Sequence, residues 1–127
     1  GMIVETLIPV PRWFEELFQM FSPSSFTELV KLSLATILVV APCEEVLFRG
    51  FVQQGFESSL GGKWGIVLSS IFFGVFHLNP WQFLPAFLVG IILGYFFRKQ
   101  GYRLWCPIAL HAAYNVALFV LNYVLAV

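Results

Sequence analysis

The order of apolar and polar positions divides the chain into five helical segments. Between residues 3 and 22 apolar and charged positions mix, and Trp13, Phe14, Leu17, Phe18 and Phe21 recur at helical spacing opposite Arg12, Glu15, Glu16 and Gln19. That pattern predicts an amphipathic helix lying in a membrane interface. Pro9 and Pro11 precede it, and Ser22-Pro23-Ser24-Ser25 interrupts it. Ser25 is suited to cap a new helix beginning near Phe26, with Glu28 at the capping-box position.

From Leu29 the chain stays apolar through Phe51, apart from Lys31 near the start and Pro42, Glu44, Glu45 and Arg49 further in. A span of about 20 residues is expected there. Gly61-Gly62 punctuates the connection to a second, shorter span, Trp64 to Leu78, which Asn79-Pro80 terminates. The third span runs from Trp81 to Phe97 and carries Gly90 and Gly94, a small-xxx-small pair that lets a neighbouring helix approach closely. Gly101 separates it from the fourth, Trp105 to Val127, whose Pro107 falls in the first turn, where proline is tolerated. The expected fold is all-α: a polytopic transmembrane bundle of about four spans behind an N-terminal amphipathic helix. Residues 1–25 form the interfacial segment and residues 26–127 the transmembrane domain. Four spans make a thin bundle, which the amphipathic segment, a partner copy or further helices would complete.

Composition agrees with lipid as the main solvent. The chain is 59% hydrophobic, 18% aromatic and 11% charged, with 15 Phe, against roughly 45–50% apolar and about 25% charged in soluble domains. Its mean hydropathy is +0.84. Seven basic residues balance seven acidic ones, all of the latter Glu, so nothing suggests nucleic acid as a partner. Cys43 and Cys106 fall in apolar stretches and read as buried free thiols rather than a secreted disulfide. Arg98, Lys99 and Arg103 lie between spans three and four, and Lys63 shares their side if the hairpins alternate, while residues 79–82 carry no charge. The positive-inside rule makes the basic side cytoplasmic. Trp64, Trp81 and Trp105 fall at span ends, as an aromatic belt does.

Against this background a few residues stand out. His77 and His111 are the only ionisable side chains, tyrosine and cysteine aside, in their stretches, and Glu44, Glu45 and Arg49 sit inside span one. Each ionised group costs about 2.5–3.5 kcal/mol at mid-membrane unless it pairs or works. Glu45 and Arg49 are spaced i, i+4, which predicts an intrahelical ion pair, while Glu44 points about 100° away and is free to meet another helix. His111 and Asn115 share one face by the same spacing, and His77 closes its helix at the negative end of the dipole. A desolvated glutamate with a histidine can activate a water, and a second histidine with an amide can stabilise the oxyanion formed when that water attacks a peptide carbonyl.

Three motifs carry a resemblance. Glu44-Glu45-Val46-Leu47-Phe48-Arg49-Gly50 matches EExxxR, Phe73-Gly74-Val75-Phe76-His77 matches FxxxH, and His111-Ala112-Ala113-Tyr114-Asn115 matches HxxxN, in that order. In this the chain resembles the CAAX protease and bacteriocin-processing (CPBP, or Abi) intramembrane endopeptidases over about residues 30–120. The resemblance implies a glutamate-dependent intramembrane protease in which Glu44 and His77 activate the water, His111 and Asn115 form the oxyanion hole, and Glu45 and Arg49 support the acids. Prenyl proteases of this kind have about eight spans, whereas four are expected here. The resemblance also implies a multi-pass protein of a prokaryotic plasma membrane, with lipid and a peptide or membrane-protein substrate as partners and no cofactor. Two Glu and two His are legitimate zinc ligands, which makes a metal site the rival chemistry, but H-E-x-x-H is absent and Asn and Arg suit a closed zinc shell poorly. The rival from another functional class is a catalytically silent immunity or scaffold module of the same fold that binds a peptide. The site residues are expected to surround one cavity opening toward the side of Arg98 and Lys99.

Overall fold

The computed structural model describes residues 9–20 and 22–126. Residues 3–8, Phe21 and Val127, which the sequence reading assigned to the first and last helices, lie outside the described residues. Among the described residues five helices follow one another: α1 (Arg12–Met20), α2 (Phe26–Leu60), α3 (Gly62–Phe76), α4 (Pro80–Lys99) and α5 (Trp105–Ala126). Three of them, α2, α4 and α5, are long and apolar enough to cross a membrane, and α3 is a shorter apolar helix. The protein is an integral, multi-pass, all-helical bundle.

Helix α2 departs from expectation in length. Its 35 residues extend past the predicted end at Phe51, giving about 52 Å of helix against a hydrocarbon core of about 30 Å. Gly61, at φ +89°, finally ends it, in a conformation that a side chain would strain. The start agrees with the capping signal: the Glu28 amide donates to Ser25 Oγ at 3.2 Å. The Glu28 carboxylate reaches one residue further back than in a regular capping box, accepting from the Ser24 amide at 2.9 Å and the Ser24 hydroxyl at 2.7 Å.

Two π-helical stretches, Thr36–Val40 and Val46–Gln53, flank the Glu44-Glu45 pair within α2. Pro42 gives a physical reason for the first. It has no N–H to donate, and its ring would crowd the carbonyl four residues earlier. The turn ahead of it widens, with the Ala41 amide donating to Thr36 O, five residues back. Single π turns inside α-helices are often found at functional sites.

Helices α3 and α4 form the closest pair of the bundle, and α2 packs on both neighbours, its N-terminal half along α5 and its C-terminal half along α3. Small residues permit the α3–α4 contact: a Cβ on Gly90 would lie 3.0 Å from the Ser70 Cβ. The outward surface is apolar, with Leu38 and Phe51 each 70% exposed, as expected where lipid covers it.

Candidate active site

The inward face of α2 is polar. Glu45, Arg49 and Gln53 follow one another at i, i+4 and i+8, and each is at most 1% exposed. The ion pair predicted from spacing is present, Arg49 Nη1 donating to Glu45 Oε1 at 3.2 Å. Arg49 Nε lies 3.1 Å from Glu45 Oε2, an ion-pair contact not aligned as a hydrogen bond. Across the bundle Arg49 Nη2 donates to Gly90 O at 3.0 Å and Gln53 Nε2 to Gly94 O at 3.1 Å. Two side chains one turn apart on α2 thus hold two carbonyls one turn apart on α4. The glycines have a double use, since a Cβ on Gly94 would stand 2.7 Å from Gln53 Oε1. The ladder continues to the helix end: Gln53 Nε2 also donates to Glu57 Oε1 at 2.9 Å, and the Tyr102 hydroxyl to Glu57 Oε2 at 2.8 Å.

Glu45 also reaches a third helix. The His111 Nδ1 lies 2.7 Å from Glu45 Oε1, joining α5 to α2. With Arg49 on the same carboxylate, Glu45 is an acceptor, so Nδ1 carries the proton and donates. His111 Nε2 then faces Glu44, whose Oε2 lies 3.7 Å away. Adjacent in sequence, the two glutamates approach opposite edges of one imidazole. They differ in burial: Glu45 is fully enclosed, while the Glu44 side chain is 23% exposed.

The third motif enters through an aromatic ring. Phe73, 2% exposed, has the Arg49 guanidinium 4.7 Å from its centroid, the His77 ring edge-on at 5.0 Å and the His111 ring edge-on at 5.6 Å. Phe48 of the EExxxR stretch packs on it at 5.1 Å. His77 caps the C-terminus of α3, and its Nδ1 lies 2.8 Å from Phe73 O. A carbonyl can only accept, so Nδ1 carries a proton and donates, and in the neutral ring the lone pair is on Nε2.

All three motifs therefore meet around Phe73, although not every site residue is bonded to another. No hydrogen bond joins Glu44 to His77 among the described residues. Asn115 follows His111 by one turn on α5, half-buried, and its side chain makes no hydrogen bond among the described residues either. Sequence reasoning gave no role to Gln53 or to the Phe73 ring. Gln53 was signalled by its spacing from Glu45 and Arg49, Phe73 only by its place in the motif. Among the described residues no three His, Cys, Asp or Glu side chains are grouped to hold a metal ion.

Two expectations need correction. Cys43, read as a buried thiol, is exposed on α2, and Cys106 is only half-buried on α5. The other concerns the opening of the site. The cleft that reaches His77 does not open toward Arg98 and Lys99. It lies at the α3–α4 turn, lined by His77, Leu78 and Trp81 together with α1. The length of α4, about 30 Å, separates that turn from the basic residues at the other end. His77 terminates α3, which runs away from the basic side, so its ring emerges at the opposite end of the hairpin.

The searches of curated proteins and of solved structures returned no match. A family profile described as "Type II CAAX prenyl endopeptidase Rce1-like" matches residues 26–117, a stretch that holds all three motifs and every helix except α1 and the last turns of α5. The chain belongs to the Rce1-like family of type II CAAX prenyl endopeptidases, a family of membrane proteases.

Proposed function

We propose that the protein is an intramembrane glutamic endopeptidase that hydrolyses a peptide bond near or within a prokaryotic plasma membrane, without a metal. The observation that carries this reading is the convergence of Arg49, His77 and His111 on the Phe73 ring, with both glutamates at His111. Glu44, the more accessible glutamate, and His77, with its Nε2 lone pair, take the proton of a water as its oxygen attacks the amide carbonyl. The carbonyl π electrons move to oxygen, and His111 and Asn115 hold that oxyanion. Collapse breaks the C–N bond, the captured proton passes to the leaving amine, and an acid and an amine depart.

The His111 role sets a chemical condition. Its Nδ1 proton points at Glu45, so a singly protonated ring would present only a lone pair at Nε2. Donation to an oxyanion needs a proton on both nitrogens, and Glu45 and Glu44 supply counter-charge at the two edges. Glu45 and Arg49 act here as positioning residues.

The test is cleavage of a pooled membrane-peptide library by detergent-purified wild type and Glu44→Gln, with and without chelator. Cleavage that disappears in the variant and survives chelator is expected. Undiminished cleavage by Glu44→Gln would overturn the mechanism, chelator sensitivity would transfer the chemistry to a metal, and absence of cleavage in both would favour a peptide-binding module.

A further inference from the structure

Helix α1 lies outside the stretch matched by the family profile, yet it stands beside His77. Its Phe14 ring packs on Trp81 of α4 with centroids 4.6 Å apart. Together with Leu17 and Phe18 it closes a cleft of about 330 Å³ whose other wall is His77, Leu78 and Trp81. The cavity is roughly twice the 150 Å³ that accommodates benzene in a protein core. Leu78 is held at φ +50° and is 89% exposed, so an apolar side chain stands at the mouth in a backbone conformation that favours glycine. The Asn79 side chain is engaged in capping α4, accepting from the Trp81 and Gln82 amides at 3.0 and 3.3 Å, and Gln82 also lines the cleft, whose remaining walls are chiefly aromatic and aliphatic. Its polar group near the chemistry is His77, whose ring also touches Phe73 at the centre of the motif cluster.

We propose that α1 is a specificity wall: Phe14, seated on Trp81, closes a cleft that takes one bulky apolar side chain of a peptide substrate beside the bond to be cut. It rests on the endopeptidase reading, because His77 belongs to both the cleft and the water-activating pair. A group bound between α1 and Leu78 is next to His77, which makes it the neighbour of the scissile bond. The aromatic walls suit a planar or branched side chain, and the cleft is bounded by a helix that a membrane surface would also support from outside.

A photoreactive probe tests the cleft without requiring turnover. Full-length protein in detergent is labelled with N-acetyl-p-benzoylphenylalanine amide and the adducts are mapped. Labelling of residues 13–18 and 77–82 is expected, blocked by N-acetylphenylalanine amide and spared by N-acetylalanine amide. Phe14→Ala should lower that labelling by about tenfold, as loss of one aromatic contact surface implies. Phe14→Leu, which keeps an apolar wall, should retain most of it and controls for folding. Competition by octanol as strong as by the phenylalanine amide would give the cleft to lipid chains and overturn the proposal, as would labelling elsewhere or labelling indifferent to Phe14→Ala. In the cleaved library, a preference for large apolar residues flanking the cut should vanish in Phe14→Ala through KM while kcat is kept. The two ideas fail separately. Labelling at the cleft with undiminished cleavage by Glu44→Gln removes the mechanism alone, and Glu44-dependent cleavage without labelling there removes the wall alone.

Discussion

The motif residues fall into two halves that differ in burial and bonding. In the closed half, Glu45, Arg49 and His111 are enclosed and tied to one another and to Gly90 O. In the open half, Glu44 and His77 are partly accessible, and among the described residues no hydrogen bond joins Glu44, His77 and Asn115 to one another, the His77 bond going to Phe73 O of its own helix. The difference follows from what each half must do. A buried charge is tolerated only when its partners are in place. A group that must meet water and a substrate has to leave room for them, and its hydrogen bonds tighten only when the reactants arrive.

The largest effect should come from breaking the open half. Glu44→Gln removes the ionisable oxygen with almost no change of shape, and cleavage should fall by about 10²–10⁴-fold, the usual worth of a positioned acid or base. Because Glu44 is partly exposed and makes no hydrogen bond with the ladder, thermal unfolding in detergent should hardly change. A folding loss as large as that of the closed-half variant below would erase the distinction between the halves.

Arg49→Met reverses that pattern. It strands Glu45 in the bundle interior without its cation and removes the bond to Gly90 O. The expected loss is about 3–5 kcal/mol, read as a lowered unfolding midpoint. Pairing it with Glu45→Met should recover much of that stability without recovering activity, since His111 then lacks its anchor. Full stability in Arg49→Met alone would mean that the ladder does not hold the bundle.

A smaller perturbation probes the ladder one turn further. Gly94→Ala places a methyl 2.7 Å from Gln53 Oε1, and Gln53 cannot swing aside without losing bonds to Glu57 and Gly94 O. Overpacking of this kind costs about 1–3 kcal/mol. The loss should lie between those of Glu44→Gln and Arg49→Met, and cleavage by the folded fraction should persist.

Much of this division was legible in sequence because helical spacing is short-range. The Glu45–Arg49 ion pair follows from i, i+4 alone, and the separate direction of Glu44, about 100° away, follows from the helical turn. The bridge from Glu45 to His111 spans 66 positions, and no local periodicity specifies which two helices meet. The π turns were missed since Pro42 announces a disturbance without saying whether the helix will kink or widen. The end of α2 was misplaced because Phe51 ends the apolar run while Gln53 and Glu57, polar yet good helix formers, carry the helix on to Gly61. The side on which His77 opens was misjudged because charge in loops orients the bundle but does not say which end of a helix a site approaches.

The smallest effect is expected at the turn of the open half. Leu78 follows the His77 cap with φ +50°, a conformation that costs a branched residue about 1 kcal/mol relative to glycine. Its side chain, 89% exposed, makes little packing to offset that cost. Leu78→Gly should therefore raise stability by about 1 kcal/mol, seen as a slightly higher unfolding midpoint, whereas Gly94→Ala lowers it. The same change opens one wall of the cleft beside His77, so discrimination between large and small residues flanking the cut should weaken as the protein becomes more stable. A drop in stability instead would mean that the Leu78 side chain holds α1 in place, and the wall would then depend on Leu78 as well as on Phe14 and Trp81. Either outcome bears on the comparison, because only a half kept open for chemistry has reason to keep a strained leucine at its mouth.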